Sequence, residues 1–333
     1  MSRLVPTESF TIPVSPGTLG YEVQQLSVEK HCIKAPQQPA KQKLALIFSH
    51  SNGFNKETLH PLIRRIVNGI HSQERYQYTN LCVYAWDARN HGDSARLNEG
   101  TLLDSYTWFD NAMDTKQIVD YFDLSLNYDG IIGVGHSFGS TSMILLESMY
   151  PKTFLGIFAI EPVMLPVVMD ASLRAQMPVL ASLKRRDTWP DRETCYQSLV
   201  KRPFWKIMHP EVLENYVKYA LYDTPEGTVK LKTPKEQEYH IFNVGYYANI
   251  MAYACLRGLQ CPIHFLYAED STFSVTLEPT SLPEHNPKYI TAEVIPGTHM
   301  VPNETPDALV PHAIKLLDRA LNNVTKGKLE SKL

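Results

Sequence analysis

Short runs that are apolar at every position alternate along this chain with longer stretches of helical spacing. Leu44-Ala-Leu-Ile-Phe48 is a continuous apolar run, which predicts a strand buried on both faces, and His50-Ser51-Asn52-Gly53-Phe54 is the loop leaving it. Leu59, Leu62, Ile66 and Ile70 recur at three- and four-residue intervals, so a helix is expected over 58–70. Leu81-Cys-Val-Tyr-Ala85, Gly130-Ile-Ile-Gly-Val134 and Phe154 to Ile160 repeat the strand pattern, with helices expected over 105–122 and 141–149. Two further strands, 263–267 and 290–295, precede a helix over 306–322 that carries Leu309, Val310, Ala313, Leu316, Leu317 and Leu321. Strands apolar on both faces, separated by helices, predict an α/β fold with a mostly parallel sheet flanked by helices.

About a hundred residues separate the strand ending near Ile160 from the one starting at Ile263. Their spacing is mainly helical, which predicts a helical cap inserted over the carboxyl edge of the sheet, where such sheets bind ligands. The expected organisation is a core over 1–162, a cap with connecting helices over 163–258, a return to the core over 259–325, and a flexible tail over 326–333. Within the insert, Tyr239, Phe242, Tyr246, Ile250 and Tyr253 form an aromatic stripe read as core packing. Met164, Leu165, Val167, Val168 and Met169 are candidates to line an apolar pocket.

Composition narrows the class. The 333 residues are 44% hydrophobic and 20% charged, which excludes a disordered chain, and the net charge of −3 without a basic block argues against nucleic acid as a partner. Lys184-Arg185-Arg186, followed by Asp187, reads as a solvated face. Cysteines at 32, 82, 195, 255 and 261 are odd in number and contain no C-x-x-C pair, so a reducing compartment is expected rather than a disulfide framework. The longest greasy stretch, 155–169, is broken by Glu161, Pro162 and Pro166, so no transmembrane segment is expected. The last three residues, Ser331-Lys332-Leu333, match the peroxisomal address, which implies the import receptor as a partner and the peroxisomal matrix as location.

The chemistry centres on Gly135-His136-Ser137-Phe138-Gly139, placed between an expected strand and an expected helix. Flanking glycines allow a sharp turn that lifts a serine hydroxyl clear of the backbone, where a base can activate it. Twelve histidines compete for that role. His299 follows the last strand and so shares an edge with Ser137, which makes it the expected base; His50 and His91 are read as structural or cap-facing, His136 as pointing elsewhere, and His264 as a core group. Two carboxylates remain candidates for the third member. Glu161 closes the strand after the nucleophile helix and needs a reason to be buried; Asp270 closes the next-to-last strand. Glu161 is preferred. No Walker loop, dinucleotide glycine motif or metal-ligand spacing accompanies them, so neither cofactor nor metal is expected.

These motifs together resemble the α/β-hydrolase superfamily. The loop Asp87-x-Arg89-x-His91-Gly92-x-Ser94 is similar to one common there, and His50-Ser-Asn-Gly-Phe54 resembles its oxyanion loop, with Ser51 where a glycine is usual. The resemblance implies oxyanion donation by the backbone N–H groups of Asn52 and Phe138. It also implies a third acid three residues after a glycine-like position at the end of the next-to-last strand; here Ser271 stands in that register, three after Ala268, and Asp270 one position early. A subset of the superfamily carries the acid at the position of Glu161 instead. The expected activity is a serine hydrolase acting on a carboxylic ester or thioester of an apolar, fatty-acyl-like acid. The same serine and histidine would also serve an acyltransferase or a C–C hydrolase, and a non-catalytic binder could keep the pocket. Ser331-Lys332-Leu333 with Glu161-Pro-Val-Met-Leu165 is similar to fungal peroxisomal hydrolases, including proteins of host-selective toxin clusters, which implies a part in decatrienoic-acid toxin biosynthesis.

Overall fold

In the computed structural model, residues 4–166, 181–273 and 277–330 are described, 324–330 for their backbone alone. An eight-stranded sheet forms the centre. Its strands are β1 (Glu8–Pro13), β2 (Gln25–Ile33), β3 (Gln42–Ser49), β4 (Thr79–Trp86), β5 (Gly130–His136), β6 (Gly156–Ile160), β10 (Ile263–Asp270) and β11 (Ile290–Thr298). Their spatial order is β1-β2-β4-β3-β5-β6-β10-β11. From β4 to β11 every pairing is parallel, while β1 and β2 join antiparallel at one side.

The double-sided burial of the central strands explains their unbroken apolar runs. Leu44, Leu46 and Phe48 of β3 pack on one face, with Leu62, Ile66 and Ile70 of the helix His60–His71 and Leu316 and Leu317 of the C-terminal helix. Ala45 and Ile47 face the other way, with Ala112 and Ile118 of the helix Trp108–Tyr121 and Ile144 of the helix Phe138–Met149. Thr107 starts Trp108–Tyr121 with a capping box closed by Asp110, a feature that contributes about 1 kcal/mol to a helix start.

The structure departs from the sequence expectations in several places. The sequence expectations do not include β1 and β2, of which β1 is the edge strand and β2 lies between it and β4. Cys32 of β2 stands directly opposite Cys82 of β4, with Cα atoms 4.3 Å apart, and the two form a disulfide. This corrects the expectation of unpaired cysteines: the partners lie 50 residues apart and only the strand register brings them together. The inserted segment is not wholly helical. It holds a small antiparallel sheet of β7 (Thr188–Trp189), β8 (Leu221–Asp223) and β9 (Val229–Leu231) among its helices. The last helix runs Val310–Glu330, past the expected end at 322, as no proline interrupts 323–330.

The aromatic stripe of 239–253 packs on the core only in part: Tyr253 lies against it, while Phe242 lines a cavity. The helix Lys235–Ala254 buries Ile241, Gly245, Ala248 and Ala252, a face of small residues, and leaves Tyr239, Phe242, Tyr246, Ile250 and Tyr253 only half-buried. Gly245 is required there, since a Cβ would lie 2.7 Å from the Trp108 ring. The insert has its own apolar cluster, built on Trp189, Trp205, Leu213, Tyr216 and Leu231, and it reaches the core through Phe54 and Met300. Among the described residues, no helix is long and apolar enough to cross a membrane.

Candidate active site

β5 ends in a turn whose backbone is forced. Ser137 sits at φ 53° and ψ −117°, a conformation that L residues rarely hold unless their surroundings impose it. The flanking glycines make that turn possible. A Cβ on Gly135 would lie 2.5 Å from the Cα of Ser140, and one on Gly139 would lie 2.6 Å from the Ser49 carbonyl oxygen. The Ser137 N–H donates to the Ile160 carbonyl at 2.9 Å, tying the turn to the end of β6. Phe138 opens the following helix, so its N–H lies in the first turn, where backbone donors have no intrahelical acceptor and negative charge is favoured.

His299 follows β11 directly and is buried. Its Nε2 lies 2.9 Å from Ser137 Oγ and its Nδ1 lies 2.7 Å from Glu161 Oε2. The Nδ1 proton thus donates to the carboxylate, leaving Nε2 to accept from the serine hydroxyl. His136, beside the serine, does point elsewhere: its Nε2–H donates to the His299 backbone carbonyl at 2.8 Å and so anchors the histidine from behind. Burial holds His136 down at about 3, His50 at about 4, and His91 well below the ordinary histidine value, so all three stay neutral near pH 7.

The two candidate acids end up in opposite environments. Glu161 is buried just past the end of β6 with a positive φ of 49°. Its Oε1 accepts from the Ala268 N–H and its Oε2 from the Ser271 hydroxyl, each at 2.5 Å, in addition to His299. Asp270 is exposed on the last turn of β10, past a bulge that shifts the register against β11 between Ala268 and Asp270. Ser271, at the register where the acid was expected, has become a donor to Glu161.

The residues of the loop 50–54, expected to supply an oxyanion donor, are fixed from two sides. His50 bonds the Ser51 carbonyl at 2.8 Å and accepts from the Ala88 N–H at 3.1 Å. His91 Nε2 accepts from the Gly53 N–H at 3.0 Å, and the Asn52 side-chain amide donates to the Glu238 carbonyl at 2.9 Å. Asp87 and Arg89 serve the scaffold: Lys56 donates to Asp87 at 2.9 Å and Arg89 forks onto Asp114 at 2.6 and 2.8 Å, all buried.

A cavity of about 430 Å³ opens over Ser137 and His299. Phe54, Trp205, Phe242, Phe273 and Met300 give it an apolar wall, and the Phe273 ring centroid lies 4.2 Å from that of His299. Of the expected lining residues, Met164 and Leu165 are buried elsewhere and do not line it, while Val167, Val168 and Met169 lie outside the described residues. The basic run expected to be solvated is not wholly so. Arg185 and Arg186 both line the cavity, and Arg185 pairs with Glu238 at 2.6 Å. Nothing in the local sequence pattern distinguishes it from an exposed arginine; its partner lies 53 residues on.

Among the described residues, two His/Glu groupings lie elsewhere, Glu29–His31–His60 and His264–Glu293–His312, brought together from distant sequence positions. Each is already knit by its own hydrogen bonds: His60 to Glu29 at 2.7 Å, and His312 to Glu293 at 2.6 Å with Lys315 on the same carboxylate. Ser331-Lys332-Leu333 lies outside the described residues.

Comparison with known proteins agrees with this fold. Residues 46–312 match the alpha/beta hydrolase family. The chain is similar to the type I acyl-CoA thioesterase mpaH' of Penicillium brevicompactum, 23% identical over 209 residues that cover 61% of this chain and 46% of that protein. It is similar to the abhydrolase domain-containing protein AFT2-1 of Alternaria alternata, 27% identical over 114 residues, or 32% of this chain and 42% of that one. The solved structure of the peroxisomal alpha-beta-hydrolase Lpx1 from Saccharomyces cerevisiae shares the fold with a TM-score of 0.73, at 19% identity over 94% of this chain and 88% of that one. The stretches matched span about half the length of these curated relatives.

Proposed function

Because the chain belongs to the alpha/beta hydrolase family, we propose that it is a serine hydrolase that cleaves a carboxylic ester or thioester of an apolar acid through an acyl-serine intermediate. The observation that carries this reading is the relay Ser137–His299–Glu161, with bonds of 2.9 and 2.7 Å, on the floor of a mainly apolar cavity.

On this proposal Ser137 Oγ attacks the acyl carbon while His299 Nε2 takes its proton. Glu161 holds the imidazole in the tautomer that can accept, and stabilises the imidazolium that forms. The developing oxyanion receives the N–H groups of Asn52 and Phe138; loss of one such donor typically raises a barrier by about 3 kcal/mol. Collapse of the tetrahedral species breaks the bond to the alcohol or thiol, which leaves with the proton from His299. Water, deprotonated by His299, then releases the acid. The core over 1–162 and 259–325 supplies these groups together with Phe54, Phe273 and Met300 of the cavity wall, and the insert over 163–258 adds Trp205 and Phe242.

The Penicillium relative's name supports the thioester arm, and the yeast relative's name supports a peroxisomal setting, to which the import receptor would deliver the chain through Ser331-Lys332-Leu333. The resemblance to fungal toxin-cluster hydrolases extends the proposal to decatrienoic-acid toxin biosynthesis. The test is turnover of 4-nitrophenyl esters and acyl-CoA thioesters of six- to ten-carbon acids by wild type and Ser137→Ala. Wild type should exceed the variant by about a thousandfold or more. Equal rates, or none above the uncatalysed reaction, would overturn the reading.

A further inference from the structure

The cavity over Ser137 is apolar on most of its wall but carries a concentrated charge at one side. Arg185, Arg186 and Arg202 line it against a single carboxylate, Glu238, among the described residues. Arg186 is occupied on the surface, where its Nε donates to the Thr188 carbonyl at 2.7 Å and its guanidinium lies over the Trp189 ring. Arg185 is different. Its Nη1 meets Glu238 Oε2 at 2.6 Å, while its Nε and Nη2 are buried and have no hydrogen-bond partner among the described residues. The Tyr216 side chain lies close by without meeting hydrogen-bond geometry.

Those two unsatisfied donors share one edge of the guanidinium. Their N–H bonds run parallel, at the spacing that bridges the two oxygens of a carboxylate. A buried donor without an acceptor is costly, and native structures rarely keep one without a use. Nor is the position accidental. Glu238 fixes Arg185 from the helix Lys235–Ala254, its carbonyl accepts the Asn52 amide, and its carboxylate packs where a Cβ on Gly53 would be 3.0 Å away. The pair therefore sits directly against the oxyanion loop.

We propose that Arg185, held by Glu238, is a specificity-determining residue that receives an anionic carboxylate carried by the acyl substrate. This rests on the reading of the cavity as an acyl-substrate site and names the class preferred within it: half-esters or half-thioesters of medium-chain dicarboxylic acids over simple fatty acyl esters. Residues Phe54, Trp205 and Phe242 cover the methylene chain, and the carboxylate completes the guanidinium edge.

The experiment compares 4-nitrophenyl hexanoate with mono-4-nitrophenyl adipate, which have the same chain length and differ in the terminal carboxylate. Wild type should prefer the adipate half-ester in kcat/KM by about tenfold or more, the range expected for a charge-assisted bond pair. In Arg185→Met that ratio should fall to about one or below. The double variant Arg185→Met/Glu238→Gln should show the same loss, which separates the effect from misfolding around an unpaired Glu238. No preference in wild type, or a preference that survives both variants, would overturn the proposal. Titration of the two esters into the Ser137→Ala protein reads binding without turnover. Tighter binding of the half-ester that depends on Arg185 would sustain the proposal even if neither ester were hydrolysed, an outcome that would instead sink the hydrolase reading; equal binding would overturn it.

Discussion

β6 and β10 are neighbours in the sheet, run parallel, and each finishes on a carboxylate at the edge that holds Ser137. Glu161, one residue beyond β6, turns inward through a positive φ and meets three donors in the interior. Asp270, at the end of β10, lies in the open beyond a bulge. The difference is one of register rather than residue type. Successive strand residues face opposite ways, so a shift of one position sends a side chain to the other face. At β10 the bulge brings Ser271 in and leaves Asp270 out, and the neighbouring strand end supplies the charge. Burying a carboxylate without donors is costly; Ala268 and Ser271, both contributed by the β10 side, supply donors to Glu161.

The largest test of this contrast is Glu161→Gln, which keeps the shape but loses the charge and the correct tautomer of His299. A drop in kcat of about a thousandfold or more is expected on any ester the wild type hydrolyses, with the circular dichroism unchanged. Acidification probes how closed the Glu161 side is. His136, which backs His299, is held at about 3 by burial, whereas an unfolded histidine titrates near 6.5. Between those values the unfolded chain binds the extra proton, so stability falls as pH falls through that window. From pH 7 to 5 this one group should remove about 2 kcal/mol, read as a lower midpoint in urea, and His136→Gln should lose correspondingly less. Ser271→Ala removes one donor to the carboxylate and should lower kcat by about tenfold with little change in KM. Asp270→Asn should leave kcat within about twofold; a loss matching that of Glu161→Gln would reverse the comparison.

The parallel core was legible because its strands are buried on both faces, a state that leaves continuous apolar runs such as 44–48 and 263–267. The elbow was legible because Gly135 and Gly139 stand where any Cβ would strike backbone. Other features leave no such trace. β1 pairs with β2 at the margin and β2 with β4, and the Cys32–Cys82 bond exists only through that register. The face that Lys235–Ala254 buries is made of small residues, which a search for large apolar side chains overlooks. Arg185 looks like any member of a basic run until Glu238 is folded against it. Long-range partners, not local pattern, decide these cases.

The central claim is that Ser137 is activated by His299 and that Glu161, not Asp270, orients the imidazole. A fluorophosphonate probe reads this directly, since the activated serine displaces fluoride and becomes covalently phosphonylated. Wild type should label at Ser137 by peptide mass, Ser137→Ala should not label, Glu161→Gln should label far more slowly, and Asp270→Asn should label at the wild-type rate. Labelling that persists in Ser137→Ala, or slows in Asp270→Asn but not in Glu161→Gln, would contradict it.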